Sequence, residues 1–209
     1  IGRRMYKGKR KRTIKRTTPQ VSMCWGPNGV VQMANDALHK KIEDIKVGDV
    51  IKTRDNRTDI VEYVVKTYGN NNIAAVKLLN SNLVMTPFHP IRHGNTNKFV
   101  LPKDEQHEKI SIDVVYNFVL RNRSHLYVNH VEAPTLGDGN RNDPILAHEY
   151  WGTKRIISDI EKISQFTKSN IIYLDAVNNS IMIDSDGNEI GIVHAALGYP
   201  EPKDEKEEV

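Results

Sequence analysis

Short runs of β-branched residues, separated by clusters of Asn, Gly, Asp and Ser, dominate the middle of this 209-residue chain. The runs cover residues 50–53, 60–67, 73–79, 83–85, 114–120 and 126–131. The breakers between them include Gly69-Asn70-Asn71-Asn72. Strands this short and this closely spaced favour a sandwich or pseudo-barrel over alternating β-α units. The sequence therefore predicts a mostly β fold.

One later segment has helical periodicity instead. Over residues 151–166, isoleucines at 156, 157, 160 and 163 form an apolar stripe, which predicts a single helix packed on the outside of the β-body. A single helical turn is predicted at 42–45, ended by Gly48. Strand-like runs follow the helix at 171–176 and 181–183, with Asp186-Gly187 as a hairpin turn into 190–193.

Charge divides the chain into three regions. Residues 1–23 carry nine Lys or Arg and no acid, whereas residues 201–209 carry five acids and two lysines. We therefore predict a flexible basic arm (1–23, the end of an upstream segment), a folded body (24–198) and a solvated acidic tail (199–209). The arm is either a solvated linker or a contact for phosphate backbones or for a nuclear-import receptor. With Tyr6 as its one aromatic residue, nucleic-acid binding rests on charge alone and is not favoured.

Composition also bounds the setting of the protein. No apolar run approaches the ~20 residues that a membrane-spanning helix requires, so no membrane span is expected. Cys24 is the one cysteine, which rules out an internal disulfide and fits a reducing, intracellular compartment. Residue 1 is Ile rather than Met, so we expect an excerpt of a longer chain.

Three residues suggest self-cleavage of the backbone. The Cys24 thiol can attack the carbonyl of Met23, His89 can protonate the departing amide nitrogen, and the Thr86 hydroxyl can hold the scissile peptide. An unperturbed thiol has a pKa of about 8.5 and is little ionised at neutral pH. We therefore expect either a nearby base or a strained Met23–Cys24 bond, which can store about 1–3 kcal/mol.

Other interpretations of the same residues remain open. A lone Cys24 can be a small buried hydrophobe, and Thr86 can simply close a strand. His89 and His93 lie four apart, a spacing that suits zinc on a helix. However, Pro90 argues against a helix there and no second cysteine is available, so neither a metal nor any other cofactor is predicted.

Four pairs of segments, in order along residues 24–166, resemble the Hint superfamily of inteins, hedgehog autoprocessing domains and bacterial intein-like domains. They are CWGP (24–27) with IEDIKVGDV (42–50), LVMTPFHPI (83–91) with FVLP (99–102), VYNFVL (115–120) with YVN (127–129), and TLGDG (135–139) with HEYWGT (148–153). The resemblance is closest to the Vint domain, the Hint variant attached to von Willebrand A proteins. It implies a flat β pseudo-barrel and a self-processing cysteine that forms a thioester with the upstream segment.

The resemblance also implies roles for later residues. His125 falls where Hint domains often place a second histidine, and Asp138 stands where the Vint pattern has His. Either can be structural, or Asp138 can act as a base for an incoming nucleophile, with His148 the nearest remaining imidazole in sequence.

Where a splicing intein ends in Asn, this chain has Thr135, so cleavage or transfer of the upstream segment is expected rather than full splicing. That segment is the expected partner and contains a von Willebrand A-like domain if the Vint resemblance extends upstream. The alternative is a Hint-shaped interaction module whose chemistry has decayed.

Overall fold

The computed structural model describes residues 21–192 apart from 36, 54, 55, 95, 141, 178, 179 and 187. Within this range the chain forms one α-helix, α1 (Lys154–Thr167), and twelve β-strands. The strands are β1 (Val30–Gln32), β2 (His39–Lys41), β3 (Val50–Lys52), β4 (Thr58–Leu78), β5 (Val84–Met85), β6 (Arg92–His93), β7 (His107–Leu120), β8 (Leu126–Val128), β9 (Val131–Ala133), β10 (Ile171–Asp175), β11 (Ile181–Ile183) and β12 (Glu189–Ile192). The predicted mostly β fold is confirmed. The acidic tail, nearly all of the basic arm and Gly187 of the predicted hairpin turn lie outside the described residues.

The long strands β4 and β7 form the central ribbon of the molecule. The predicted runs 60–67 and 73–79 are one strand, β4, because the Asn-rich segment between them is absorbed as a bulge. The register against β7 shifts between Tyr68 and Ile73, and Asn70 (φ 47°) and Asn71 (φ 59°) adopt left-handed conformations. Asn tolerates this conformation better than most residues, so the breaker bends the ribbon without ending it.

The sequence predicted one strand over 126–131, which is wrong because this run contains a turn between two strands. Strands β8 and β9 pair antiparallel, with Val128 opposite Val131. The two residues between them, Asn129 (φ 49°) and His130 (φ 65°), both have positive φ. Two such central residues define the tight hairpin turn whose twist matches that of the flanking strands.

The strands form two larger sheets and a separate hairpin. One sheet has the order β2-β1-β8-β9-β6. In the other, β4 pairs with β3, β5 and β7, and β10 joins it in parallel. Strands β11 and β12 form the separate hairpin, and within the described range neither larger sheet closes on itself. This agrees with the flat β architecture that the resemblance implied.

The predicted helix is present but begins three residues later than expected. Thr153 caps it by accepting a hydrogen bond from the backbone N–H of Arg155 (3.2 Å), and the preceding residues form a turn. The four isoleucines of the stripe are buried in a core that also contains Val65 of β4 and Ile172 of β10. The helix therefore covers one side of the β-body. It is too short and too polar to span a bilayer, and no other described helix meets that requirement.

Candidate active site at the Met23–Cys24 junction

The chain around Cys24 is threaded between β5 and β7. Trp25 exchanges backbone hydrogen bonds with Tyr116 of β7 (2.9 and 2.8 Å), and the N–H of Gly26 donates to Val84 O of β5 (2.8 Å). On the same side, the N–H of Thr86 donates to Cys24 O (2.9 Å). These bonds hold residues 24–26 between β7 on one side and β5 on the other. The junction is thus a paired, buried part of the β-body.

Thr86 contacts the nitrogen of the Met23–Cys24 peptide. Its Oγ1 accepts a hydrogen bond from Cys24 N (2.9 Å) and lies 3.3 Å from Cys24 O, to which the hydroxyl can donate. The side chain is fully buried, so water does not compete for these bonds. Thr86 therefore lies where the sequence prediction placed it, beside the bond that would break.

Asn117 of β7 contacts the other end of the same peptide, and sequence reasoning missed it. Its Nδ2 donates to Met23 O, and its Oδ1 accepts from the N–H of Phe118 (2.7 Å), which fixes the orientation of the amide. The Asn117 amide also lies near enough to the Cys24 thiol to lower its pKa. One side-chain amide thus contacts the Met23 carbonyl and lies beside the Cys24 sulfur.

Met23 adopts a left-handed backbone conformation, with φ of 58°. For a residue with a Cβ this conformation costs roughly 1–2 kcal/mol. The side chain of Met23 is buried and packs in the core beneath α1, which holds the residue in place. Of the two expected activating features, strain is therefore present on the acyl side of the junction.

Cys24 itself is buried, 2% exposed, among apolar side chains that include Val21, Ile73 and Val115. Its thiol donates to Ser22 O (3.4 Å). Burial raises the pKa of the Cys24 thiol, the nearby Glu189 carboxylate raises it further, and the hydrogen bond from Asn117 lowers it. The thiol is therefore neutral at rest.

His89 is also fully buried and packs against Trp25, with ring centroids 4.3 Å apart. Its Nε2 lies 3.0 Å from Pro134 O, so this nitrogen carries the proton of the neutral ring. Its Nδ1 is buried without a hydrogen-bond partner among the described residues. Burial lowers the pKa of His89 to about 4, although contacts with the backbone of Pro134 and of Cys24 partly oppose this effect. The ring thus lies against the Cys24 backbone with Nδ1 free to accept a proton.

His125 and Asp138 belong to a neighbouring network of buried charges. Nδ1 of His125 lies 2.9 Å from Glu132 Oε1, and its Nε2 lies 3.4 Å from Asp138 Oδ2. Arg92 binds Glu132 in a bidentate pair, in which Nη2 donates to Oε1 (2.7 Å) and Nε donates to Oε2 (3.0 Å). Burial alone would lower the pKa of His125, but the carboxylates of Asp138 and Glu132 raise it above its usual value.

This network does not contact the junction directly. Pro134, two residues after Glu132, links the network to the junction. The carbonyl oxygen of Pro134 accepts a hydrogen bond from Nε2 of His89. The structure therefore brings Cys24, Thr86 and His89 together and leaves His125 and Asp138 in an adjoining layer.

The remaining candidate histidines have local roles. Nδ1 of His148 accepts hydrogen bonds from the backbone N–H groups of Tyr150 and Trp151 (3.1 and 3.2 Å), which orients the turn before α1. His93 lies 3.8 Å from Glu105. Among the residues that the structure describes, no group of three or more His, Cys, Asp or Glu side chains is arranged to hold a metal ion.

This fold and this junction define a Hint-type domain, a class of autoprocessing proteins. A family model named Vint and described as a Hint-domain matches residues 23–184. Because the match covers most of the chain, the protein belongs to the Vint family. No curated protein matches the chain.

Solved structures of intein-like proteins are similar to parts of this chain. The solution structure of a bacterial intein-like domain from Clostridium thermocellum is 17% identical, with a TM-score of 0.45, and the match covers 55% of this chain and 100% of that one. The crystal structure of the gp41-1 intein is 14% identical (TM-score 0.38, 54% and 98% covered). A DnaB intein from Synechocystis sp. PCC 6803 is 9% identical (TM-score 0.40, 54% and 97% covered).

Proposed function

We propose that this domain cleaves its own backbone at Met23–Cys24 through an N–S acyl shift, and that water or another nucleophile then resolves the thioester without splicing. One observation carries the proposal. The oxygen and the nitrogen of the Met23–Cys24 peptide each have a dedicated buried side-chain partner, Asn117 for the oxygen and Thr86 for the nitrogen. Most buried peptide groups pair with other backbone groups, whereas here polar side chains bind both the oxygen and the nitrogen of one peptide.

In the first step, Sγ of Cys24 attacks the carbonyl carbon of Met23. Negative charge develops on the carbonyl oxygen, where the amide of Asn117 already donates. Nδ1 of His89 accepts the proton of the Cys24 thiol, and the resulting imidazolium delivers it from Nδ1 to Cys24 N as the C–N bond breaks. The products are a Met23–Cys24 thioester and a free α-amino group on Cys24.

Two features help this uphill step. The left-handed conformation of Met23 places strain of roughly 1–2 kcal/mol next to the bond that breaks. The bond between Nε2 of His89 and Pro134 O leaves Nδ1 as the nitrogen that exchanges the transferred proton. A positioned general acid typically contributes about 10²–10⁴-fold.

Release without splicing follows from the residue after Pro134. Thr135 is buried and its hydroxyl donates to Ser124 O (2.9 Å). A hydroxyl cannot cyclise onto the backbone as the amide of a terminal Asn does, so the proposed reaction ends with release or transfer of the chain upstream of Cys24. A von Willebrand A-like domain is the upstream partner that we propose.

The test is incubation of the purified chain with hydroxylamine or a thiol, followed by intact mass measurement. We expect two products, residues 1–23 and a chain that begins at Cys24. Because Cys24 is the one cysteine, Cys24→Ala removes all thiol chemistry and is the matched control. A wild-type chain that gives no Cys24-dependent shortening would refute the proposal and favour an inactive interaction module.

A further inference from the structure

A cavity of about 500 Å³ lies beside the junction and has no part in the first step of cleavage. Two of its lining residues are sequence neighbours of the candidate site: Ser22 precedes Met23, and Phe88 precedes His89. The other walls come from residues 147–155 and from the β11–β12 hairpin. The cavity is therefore positioned to hold a molecule next to the acyl group that the thioester would carry.

The charged side chains in the walls of this cavity are mostly acidic. Glu149, Asp184 and Glu189 contribute carboxylates, whereas Arg155 contributes the one guanidinium of the lining. Burial lowers the pKa of His148, so its imidazole is neutral near pH 7. The formal charge of the lining is then −2, which favours a cationic ligand over an anionic one.

Glu189 is the most buried of the three carboxylates, with 6% of its surface exposed. Its oxygens accept from the N–H of Ser22 (3.1 Å) and from the indole N–H of Trp151, and both donors are neutral. Within the described range, its one ion-pair contact is with Nε2 of His148, at 3.9 Å. A buried carboxylate with neutral partners gains most from a cation brought into the adjoining space.

We propose that this cavity binds a primary alkylammonium group and presents it as the nucleophile that resolves the Met23–Cys24 thioester. This inference rests on the proposed function. Glu189 binds the ammonium, and the ring of Phe88 lies beside the alkyl chain. The cavity has room for a lysine-sized side chain, so the substrate class is an unbranched primary amine, free or on a peptide.

The step balances as an acyl transfer. The ammonium gives one proton to the Glu189 carboxylate, and burial raises the pKa of that group, which makes it a better acceptor. The neutral amine attacks the carbonyl carbon of Met23, the C–S bond breaks, and the second amine proton passes to Sγ of Cys24. The products are an amide on Met23 and a free thiol, and the proton on Glu189 is released to water.

Binding is tested on the Cys24→Ala chain, which cannot react. The probes are pentylamine and 1-pentanol, which have equal chain length, and the readout is the NMR resonance of the Trp151 indole N–H, which touches Glu189. We expect saturable shifts with pentylamine but not with 1-pentanol. Glu189→Gln should weaken pentylamine binding about tenfold or more, whereas Glu43→Gln, outside the cavity, should not change it. Equal response to both probes, or unchanged affinity in Glu189→Gln, would overturn the inference.

Because Glu189 also holds Ser22 and Trp151, a second variant leaves that carboxylate in place. Phe88→Ala removes the apolar wall and should abolish the preference for pentylamine over methylamine. In the chain that retains Cys24, pentylamine should form an amide with the 1–23 fragment. Glu189→Gln should reduce the amount of this amide. Hydroxylamine needs no cavity, so its release rate in each chain measures thioester formation, and the incorporation of pentylamine is compared as a ratio to that rate.

The two ideas fail separately. Cleavage by hydroxylamine without binding or incorporation of pentylamine refutes the amine site and leaves self-cleavage standing. Binding of pentylamine without any cleavage refutes the self-cleavage and with it the proposed use of the amine. Binding without incorporation, in a chain that hydroxylamine cleaves, refutes the role as nucleophile.

Discussion

The amide of Asn117 gives the most direct test of the proposed chemistry. It donates to Met23 O in the resting chain, but only the part of that interaction that strengthens in the transition state accelerates the reaction. As the carbonyl carbon becomes tetrahedral, its oxygen becomes an anion, and the site is buried, so the gain is large. Removing one donor of this kind typically costs about 10²–10³-fold in rate, or about 2.7–4 kcal/mol. We expect that loss for Asn117→Ala.

The measurement is the first-order rate of fragment release at saturating hydroxylamine, followed by intact mass. Truncation also leaves Met23 O and the Phe118 N–H without their partner, which costs about 1–3 kcal/mol of stability for each group. Rates are therefore compared well below the unfolding midpoint of the variant. Asn170→Ala is the matched control, because that amide also donates to a backbone carbonyl, Glu62 O (3.1 Å), but at the surface. A folded Asn117→Ala chain that cleaves within about threefold of wild type would refute the assigned role.

Four further outcomes are expected. His89→Ala should slow release about 10²–10⁴-fold, and an unchanged rate would exclude it as the acid. Thr86→Val should slow release about tenfold while Thr86→Ser retains most of it, because only the hydroxyl bonds to Cys24 N. Burial raises the pKa of Cys24 and lowers that of His89 to about 4. Between these two pKa values, the thiolate fraction of Cys24 rises with pH as the imidazolium fraction of His89 falls, and their product is constant. The rate at saturating hydroxylamine should therefore be flat between about pH 5 and 8. A tenfold change per pH unit would contradict this pairing. Finally, the raised pKa of His125 adds stability that is full below about pH 6.5 and is lost as the pH rises through that raised pKa. The difference in urea midpoint between wild type and His125→Gln should therefore shrink from pH 6 to pH 9.

The sequence predicted the class of fold because the spacing of apolar residues and the Asn, Gly, Asp and Ser clusters between strands are local signals. It failed where a local signal had two structural solutions. The Asn-rich segment at 70–72 can end a strand or bulge out of one, and pairing with β7 over both halves of β4 decides for the bulge. Similarly, Asn129-His130 lacks the glycine that marks most tight hairpin turns, so the run 126–131 looked continuous.

The candidate site shows the same division. Cys24, Thr86 and His89 could be proposed from residue type because their chemistry is specific. Asn117 could not, since its role depends on β7 pairing with a segment 94 residues away in sequence. The available signal was a polar residue that interrupts the apolar run 115–120. Such a residue, when buried, requires a partner, but the sequence does not say which one.

The charged network beyond Pro134 bears on how His89 can act. His89 has a pKa of about 4, chiefly because of burial and in small part because of the nearby charge of His125. At pH 7 only about 10⁻³ of the rings carry the second proton, yet those that do are stronger acids than an ordinary imidazolium. A departing amide nitrogen is a poor leaving group until it is protonated, so acid strength matters more here than abundance. Arg92 of β6 and Glu132 of β9 form an ion pair, and β9 leads directly to Pro134, whose carbonyl oxygen accepts a hydrogen bond from Nε2 of His89. In the proposed first step, the network therefore acts through the position of Pro134 and through the charge of His125.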